Sequence, residues 1–599
     1  MTARRADVDV VVVGLGPTGL TLAHALGMRG ASVLVLEREP AFYGNARAVY
    51  TDGECMRIFQ SIGMADRLAR DMVEDAPVQF WLADGSCLGT LMSADRPWGW
   101  GMSQFFYQPF LETALAEGLE AYPNVRVVRG REVVRFAQDD DGVDVFHVAC
   151  AGTAYGTAVA PAEVGVRADE TRVRARWLVG ADGGRSLVRT QLGIGMTGRS
   201  FPNPWLVVDI EAKEGLQGLR HLPYFAFVCD PNRPTVCCVQ PRGHHRFEFM
   251  LAPGQTREEI EDPATVRRLL SDFVDVDRFV ILRKLVYTFN ALVAERWRDR
   301  RVLLAGDAAH MTPQFIGQGM NAGVRDAHNL AWKLHAVLEG RASERVLDTY
   351  ETERRPHATA MIREAMRMKA FVSVSNPWMA ALRNATFRLA LRLPGVGPFI
   401  RNARFIPQPV YRRGGYLGLP RRGRSGPEGK LMPQPRVRRA DGRSCRLDDA
   451  LAHGAVPDVG ATARAPAGFA LIGVRVDPRA TLGPAERAWC DAMGVRHVAM
   501  HPWGERRYGR GVARDFEDTL LELEDLSGEW FRWLRKARVP RAGVVVLRPD
   551  GFVFAAVRAE RLSEAIRALR EQLGAPATVA TRALRAAPDE APVECREAA

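Results

Sequence analysis

"VDVVVVGLGPTGLTLAHALGMRGASVLVLE", residues 8 to 37, is the stretch that decides the fold. Its opening "VDVVVVG" is apolar apart from Asp9 and reads as a strand buried on both faces. "PTGLTLAHALGMRG" follows as a helix, with Pro17 in its first turn and Gly30 as its stop. "SVLVLE" is a second buried strand. Strand, helix and strand in this order form the unit from which parallel sheets are built. Between the first strand and the helix lies "GLGPTG", with Gly14, Gly16 and Gly19. Glycines at these positions let backbone N–H groups approach a pyrophosphate, and the helix dipole favours the anion there. Glu37, at the end of the second strand, is placed to accept from ribose hydroxyls. The stretch reads as a dinucleotide site, and alone it does not choose between FAD and NAD.

Around this core the chain runs to 599 residues, too many for one hydrophobic core, so two or three domains are expected. A hydrophobic share of 47% with 25% charged residues is that of a globular protein. No apolar run reaches the ~18–20 residues of a membrane span. "NPWMAALRNATFRLALRLPGVGPFI" comes nearest and is interrupted by Arg383, Arg388 and Arg392. "MTARRAD" leads straight into the first strand, so no signal peptide is read. Nine cysteines without a CxxC or metal-ligand spacing imply a reducing cytoplasm and no metal site. The 82 basic residues exceed the 70 acidic ones by 12, but the excess is spread along the chain. Its densest patch, "YRRGGYLGLPRRGRSGPEGK" (411–430), lacks aromatic stacking spacing and reads as a solvated linker, not a nucleic-acid surface.

Further along, the helices "DGECMRIFQSIG" and "QPFLETALAEGLEAY", the hairpin "VQFWLADGSCLGTL" and the strands "VRVVRG", "EVVRFA" and "VDVFHVA" continue the first unit. Residues 151–168 read as a surface loop. Residues 204–290 are mostly strand-like and predict a separate antiparallel layer. "RVLLAGD" then resumes the first unit, with long helices from 320 to about 371. The expected fold is α/β: a Rossmann-like dinucleotide domain in two parts (1–190 and 296–400) around an inserted antiparallel substrate sheet (191–295). A linker at 401–430, a C-terminal domain at 431–575 and a disordered tail at 576–599 complete the organisation.

Two more motifs sit at strand ends. "WLVGADGGRSLVR" (177–189) presents Asp182 before a turn and helix. "LLAGDAAHMTPQFIGQGMNAGVRDA" (303–327) presents Asp307, then Pro313, Gly317 and Gly319, then a helix starting near Met320 and Asn321. Open α/β sheets bind ligands at the C-terminal ends of their strands, which is where both motifs lie.

The three motifs in this order resemble the single-component FAD-dependent aromatic hydroxylases, the group of phenol and para-hydroxybenzoate hydroxylases, over roughly residues 8–400. "ARAVYTDGECMRIFQSIG", "DPNRPTVCCVQP", "RFEFMLAPGQT", "LVYTFNALVAERW" and "NLAWKL" are similar to the 3-(3-hydroxyphenyl)propionate hydroxylase branch. The tail module, with "LRPDGFVFA", resembles the thioredoxin-like C-terminal domain of some members, without a redox CxxC. The resemblance implies FAD, with NADPH or NADH as a transient co-substrate; no second GxGxxG follows to hold a nicotinamide permanently. It implies that Asp307 accepts from a ribityl hydroxyl, and that Gly317 and Gly319 let backbone N–H groups reach the flavin pyrimidine edge. The helix from Met320 and Asn321 would turn its positive end to the same edge. Arg38, Arg47 and Gln108 are further FAD contacts by this resemblance, and Asp182 lies toward the cofactors. The reaction implied is hydroxylation of an electron-rich ring by O2 through a flavin C4a-hydroperoxide. The protein's part is to exclude water and help deprotonate a phenol.

Asp52, Tyr287 and Pro313 are the candidates for the catalytic side, with His244, His245 and Arg246 behind them. Asp52 reads equally as a helix N-cap, and Tyr287 with Phe289 equally as core packing. Phe289 stands where the branch has His, and Tyr50 where Gly is usual, which opens the substrate to phenolic or hydroxypyridine natural products. "PWGWGMS" (97–103) carries the Trp-x-Trp of flavin halogenases but lacks the Ile-Pro after it and comes before the Asp182 motif. A Baeyer–Villiger oxygenase or a dehydrogenating flavoenzyme on the same scaffold, and a basic, colourless binding module, are the remaining alternatives. The partners expected are an aromatic substrate and O2, with a homo-oligomer possible.

Overall fold

The computed structural model describes residues 5–42, 48–152, 169–201, 204–213, 215–411, 416–423, 425–452, 467–505 and 520–574. Most of the surface loop expected at 151–168, and all of the tail expected at 576–599, lie outside them.

The opening stretch folds as its pattern requires, with strands Val8–Val13 and Val33–Glu37 on either side of helix Pro17–Gly27. Val10, Val11 and Val12 are fully buried. The sheet runs Arg298–Asp299, Val302–Leu304, Thr171–Gly180, Val8–Val13, Val33–Glu37 and Val125–Arg129, parallel in all but its first pair. Strands Arg131–Gln138 and Val143–Ala149 extend it as an antiparallel meander. Register is the decisive feature here. Val13 pairs with Gly180, and Gly180 with Leu304, so three strands far apart in sequence end in one row.

The second sheet has seven strands. Its order is Phe279–Tyr287, Trp205–Ala212, His244–Met250, Thr235–Val239, Phe225–Val228, Val78–Trp81 and Cys87–Leu91. Two expectations need correction. The hairpin at 78–91, assigned to the dinucleotide unit, belongs to this sheet, and its junction with Phe225–Val228 is parallel. The layer is therefore neither wholly antiparallel nor confined to 191–295. The reason is apolar packing: Val78, Phe80 and Leu91 pack with Phe227 and Val236 in one cluster.

Side-chain alternation divides this sheet into two faces. Phe247 and Phe249 turn to helix Pro263–Ser271, packing with Val266, Leu269 and Leu270. Arg246 and Glu248 turn the other way, toward the first sheet.

The C-terminal unit is a mixed sheet ordered Ser444–Arg446, Arg436–Arg438, Leu521–Asp525, Arg496–Pro502, Ala470–Val474, Gly543–Leu547 and Val553–Arg558. It packs on helix Gly319–Leu338 through Trp332 against Phe469, with ring centroids 5.7 Å apart. The segment read as a solvated linker is a correction too. Tyr411 and Leu417 are buried, Tyr411 stacks on Phe552, and Leu419 N donates to Phe554 O. Arginines dominated its sequence signal, but its aromatic and aliphatic residues dock on the C-terminal sheet. Among the described residues no helix is long and apolar enough to cross a membrane.

Candidate active site

The aligned strand ends bring the three motifs into contact. A Cβ on Gly14, whose φ is +100°, would lie 2.5 Å from the carbonyl oxygen of Ala181, beside Asp182. A Cβ on Gly306 would lie 2.6 Å from Thr18 Oγ1, and one on Gly323 would collide with the same hydroxyl. A Cβ on Gly19 would collide with Gly14 O, whereas one on Gly16 would meet nothing within 4 Å. Gly16 therefore faces open space, and Gly19 serves close packing of the helix under the loop.

That open space is a cavity of about 1400 Å³. It exceeds the roughly 300–1,000 Å³ of a drug-sized ligand site. Gly14, Gly16, Glu37, Arg38 and Gln108 line one end, and Asp307, Gly317, Gly319 and Met320 line the other. Both ends carry a helix N-terminus without a side-chain cap, at Pro17–Gly27 and Gly319–Leu338. Their first-turn N–H groups are left for an anionic or polar ligand. Asp182 lines the cavity, is pushed above the usual carboxylate range by burial, and keeps Oδ1 buried without a partner among the described residues. Glu37 accepts from Leu15 N at 2.7 Å and Glu39 N at 2.9 Å, which fixes its carboxylate at the mouth of the glycine loop. These groups fit a long dinucleotide held at both ends.

The other expected cofactor contacts divide into those that face the cavity and those that brace it. Arg38 lines it, with Nε 3.5 Å from Glu39 Oε1. Gln108 accepts from Ala48 N at 2.6 Å and donates to Glu112 at 2.6 Å, anchoring the neighbouring chain. Arg47 lies outside the described residues. Asn321 is fully buried, with its amide on Gly317 O at 2.8 Å and its oxygen accepting from Thr51 at 2.8 Å. Its side chain holds the loop's shape and does not face the cavity. His310 is a brace too: it bonds Asp326 at 2.6 Å, and Asp326 also takes Gly306 N at 3.1 Å and Arg354 at 2.8 Å.

On the catalytic side, Asp52 lines the cavity and Pro313 does not. Asp52 caps helix Gly53–Ser61 through Cys55 N, at 3.0 Å. Its other oxygen takes Arg325 and the Gln318 amide. Burial alone would raise its carboxyl, but Arg325 outweighs it and the net shift is downward. Arg325 is itself shared with Glu54 at 2.7 Å. A carboxylate locked in this way is a poor base. Pro313 is buried at the start of the turn Gln314–Ile316, away from the cavity wall, with no acid or base group to offer. Tyr287 and Phe289 line the cavity, Phe289 packing on Trp205 and Phe315 with ring centroids 6.3 and 5.8 Å away. Tyr50 lines it beneath Gly317, where a Cβ would lie 2.6 Å from the Tyr50 ring.

His244 and His245 lie off the cavity. His244 stacks on Tyr107 at 4.0 Å, and His245 bonds Cys237 at 3.2 Å on the opposite face of the sheet, where burial pulls it down to about 3. Arg246 does face the cavity, held to Asp209 at 2.6 and 3.0 Å, with Arg283 on the same carboxylate at 2.7 Å. The residue that sequence reading missed is Glu248, which is 5% exposed and accepts from the Gln314 amide. Burial pushes its carboxyl up to about 7. The alternation in "RFEFM" was the available signal, because it sets Arg246 and Glu248 on one face of an otherwise apolar strand. Trp100, from the stretch weighed as a halogenase signature, bonds Gln60 at 2.8 Å and lies under Arg446 of the C-terminal unit at 3.8 Å.

The family described as an FAD binding domain matches residues 7–365, and one described as the HcaD C-terminal domain matches 429–572. A 3-(3-hydroxy-phenyl)propionate/3-hydroxycinnamic acid hydroxylase of Burkholderia cenocepacia (strain HI2424) is 36% identical over 557 residues, covering 92% of this chain and 94% of that protein. The Escherichia coli O81 (strain ED1a) protein of the same name is 35% identical over 564 residues, with 94% of each chain covered. Aklavinone-11 hydroxylase, in a ternary complex with FAD and aklavinone, superposes with a TM-score of 0.71 at 25% identity, covering 95% of this chain and all of that one.

Proposed function

The chain belongs to the FAD-binding hydroxylase family, and from that premise we propose that it is an NAD(P)H-dependent monooxygenase that uses O2 to hydroxylate a phenolic ring. The observation that carries the reading is the single cavity joining two glycine loops, with an aromatic-walled sheet closing its flavin-side end. Bound FAD supplies acceptance of a hydride from NAD(P)H and activation of O2.

The protein's own residues do the rest. Backbone N–H groups at Gly14–Gly19 receive the pyrophosphate, Glu37 the ribose, and Arg38 and Gln108 flank that half. Asp307 receives the ribityl chain, while Gly317, Gly319 and Met320 leave room for backbone donors at the pyrimidine edge. The uncapped start of Gly319–Leu338 adds a positive dipole end there, favouring negative charge on the ring system. Phe225, Phe227, Phe289 and Phe315 wall the substrate end and keep water from it. Tyr287 is placed to hold the substrate hydroxyl.

The relatives' printed names make 3-(3-hydroxyphenyl)propionate the first substrate to try. The apolar wall and the cavity's size support larger phenols as well. The C-terminal unit reads as a thioredoxin-like scaffold used for packing, since its described cysteines, Cys445 and Cys490, are far apart in sequence and both free. The eight described cysteines are free thiols, which supports a reducing compartment.

A panel of phenols and hydroxypyridines tests the reading, scored for stimulated NAD(P)H consumption and for the mass and position of the new oxygen. Ring hydroxylation of at least one phenol is expected. Oxygen inserted beside a ketone, or a protein that binds no flavin, would refute it.

A further inference from the structure

We propose that Glu248 is the base that takes the phenolic proton of the substrate. The inference rests on the hydroxylase reading and adds the group that activates the ring.

Strand His244–Met250 carries Glu248 on the face turned to the cavity, in register with Val207 of the neighbouring strand and Val236 of the next. The Gln314 amide donates to Glu248 Oε2. Gln314 belongs to the turn that leads into Gly317, so the carboxylate is tied to the flavin-side loop. The aromatic wall formed by Phe225, Phe227, Phe289 and Phe315 lines the same cavity. A ring placed against that wall with its hydroxyl toward the sheet meets Glu248.

Charge around Glu248 is arranged so that it stays a usable base. Arg246 on its own strand and Arg283 on Phe279–Tyr287 are both engaged with Asp209 of Trp205–Ala212. That pairing holds Asp209 below the usual carboxylate range, against the upward push of its burial. The Cys238 thiol on Thr235–Val239 is pushed up by burial and stays neutral. Among the described residues Glu248 itself makes no ion pair, and burial lifts it to about 7, with Arg246 opposing the rise. Asp52 lacks this freedom because Arg325 holds it. General bases work best when their pKa lies near the working pH.

In the step itself, the phenol O–H bond breaks, its proton lands on a Glu248 oxygen and its electron pair stays on the phenolate oxygen. The extra density passes into the ring and makes it a better nucleophile toward activated oxygen. Because the base must be ionised, hydroxylation rises as pH increases through about 7.

The test compares the parent with Glu248→Gln and Glu248→Asp as flavin-loaded full chains, using 3-(3-hydroxyphenyl)propionate and resorcinol as probes. Glu248→Gln is expected to keep its flavin and its reduction by NAD(P)H, to lose about 100-fold or more in hydroxylation rate, and to lose the limb near pH 7. Glu248→Asp should restore part of the rate with the limb present. Infrared difference spectra supply a readout apart from turnover: one protonated-carboxyl band should disappear between about pH 6 and pH 8 in the parent, and be absent in Glu248→Gln. Retention of the pH limb or of that band in Glu248→Gln overturns the assignment. A parent that hydroxylates no phenol overturns the hydroxylase reading and this inference with it.

Discussion

Glu353→Gln is the perturbation that most directly tests how the C-terminal unit is held to the cofactor-binding body. Glu353, on helix Asp348–Val372, is fully buried. It accepts from Arg548 at 2.7 and 2.9 Å, Lys333 at 2.6 Å, Asn329 at 2.7 Å and Leu417 N at 2.9 Å. Burial would raise its carboxyl, but Arg548 and Lys333 outweigh that and hold it well below its usual range. The glutamine amide keeps the shape and turns an N–H₂ toward groups that are themselves donors. Breaking a buried pair by removing one partner costs about 3–5 kcal/mol. The low end applies here for two reasons. Arg548 keeps Asp550 at 2.6 Å and Leu417 O at 3.0 Å. Burial already brings Lys333 down to about 8 beside Glu353, so without that carboxylate it sheds its proton near neutral pH.

A loss of about 3 kcal/mol corresponds to a melting point lower by about 6–12 °C for a cooperative unit of this size. Tryptophan fluorescence read during heating measures it, and limited proteolysis reports release of the C-terminal unit. The sign with pH is also determined. A carboxyl lowered in the folded state stabilises above its unfolded value of 4.5 and loses that contribution as pH falls through its folded value of about 2, so the gap between parent and variant should narrow progressively from pH 4.5 to about pH 2. A melting point within about 2 °C of the parent at neutral pH would show that the network does not hold the two units together.

Asp307→Ala should yield largely flavin-free protein, since losing a hydrogen bond to a charged group costs about 1.5–3 kcal/mol, or roughly 10- to 150-fold in affinity; full flavin absorbance after purification would remove Asp307 from the ribityl role. Gly19→Ala sets a methyl against Gly14 O and should weaken FAD binding by about 5- to 150-fold through displacement of the glycine loop, at the ~1–3 kcal/mol of overpacking. Flavin titration of the apoprotein reads it, and an unchanged dissociation constant would count against the packing argument. Tyr287→Phe should keep its flavin yet make less product per NAD(P)H consumed, and unchanged coupling would leave Tyr287 a wall residue only.

How far the site can be read from sequence follows from what each motif specifies locally. The glycine loops are legible because their constraint is on the backbone itself: Gly14 must adopt φ +100° and leave no Cβ against Ala181. A carboxylate at the end of a parallel strand, as at Glu37 and Asp307, is legible for a similar reason, since the strand's end is where ligands sit. Asp52 was not separable from its alternative, because its fate depends on Arg325, a residue from a helix 266 positions beyond the one it caps. Pro313 and Asn321 lie in the right loop, but only the fold turns one into the core and uses the other to tie Gly317. Glu248 was missed because period-two alternation names two faces and does not say which one meets the ligand.

The sequence by itself determined the strand-loop-helix units at the two ends of a dinucleotide site, because short-range backbone requirements encode them, and its resemblance to the aromatic hydroxylases implied FAD and ring hydroxylation. Tertiary structure alone decided that Val13, Gly180 and Leu304 share a row, that the hairpin at 78–91 joins the substrate sheet, and that Arg246 and Glu248 face inward. These depend on strand pairing and on which buried charges neutralise one another. Asp209 and Arg325 each satisfy groups brought together from separate elements, and no local pattern in the chain records such pairings.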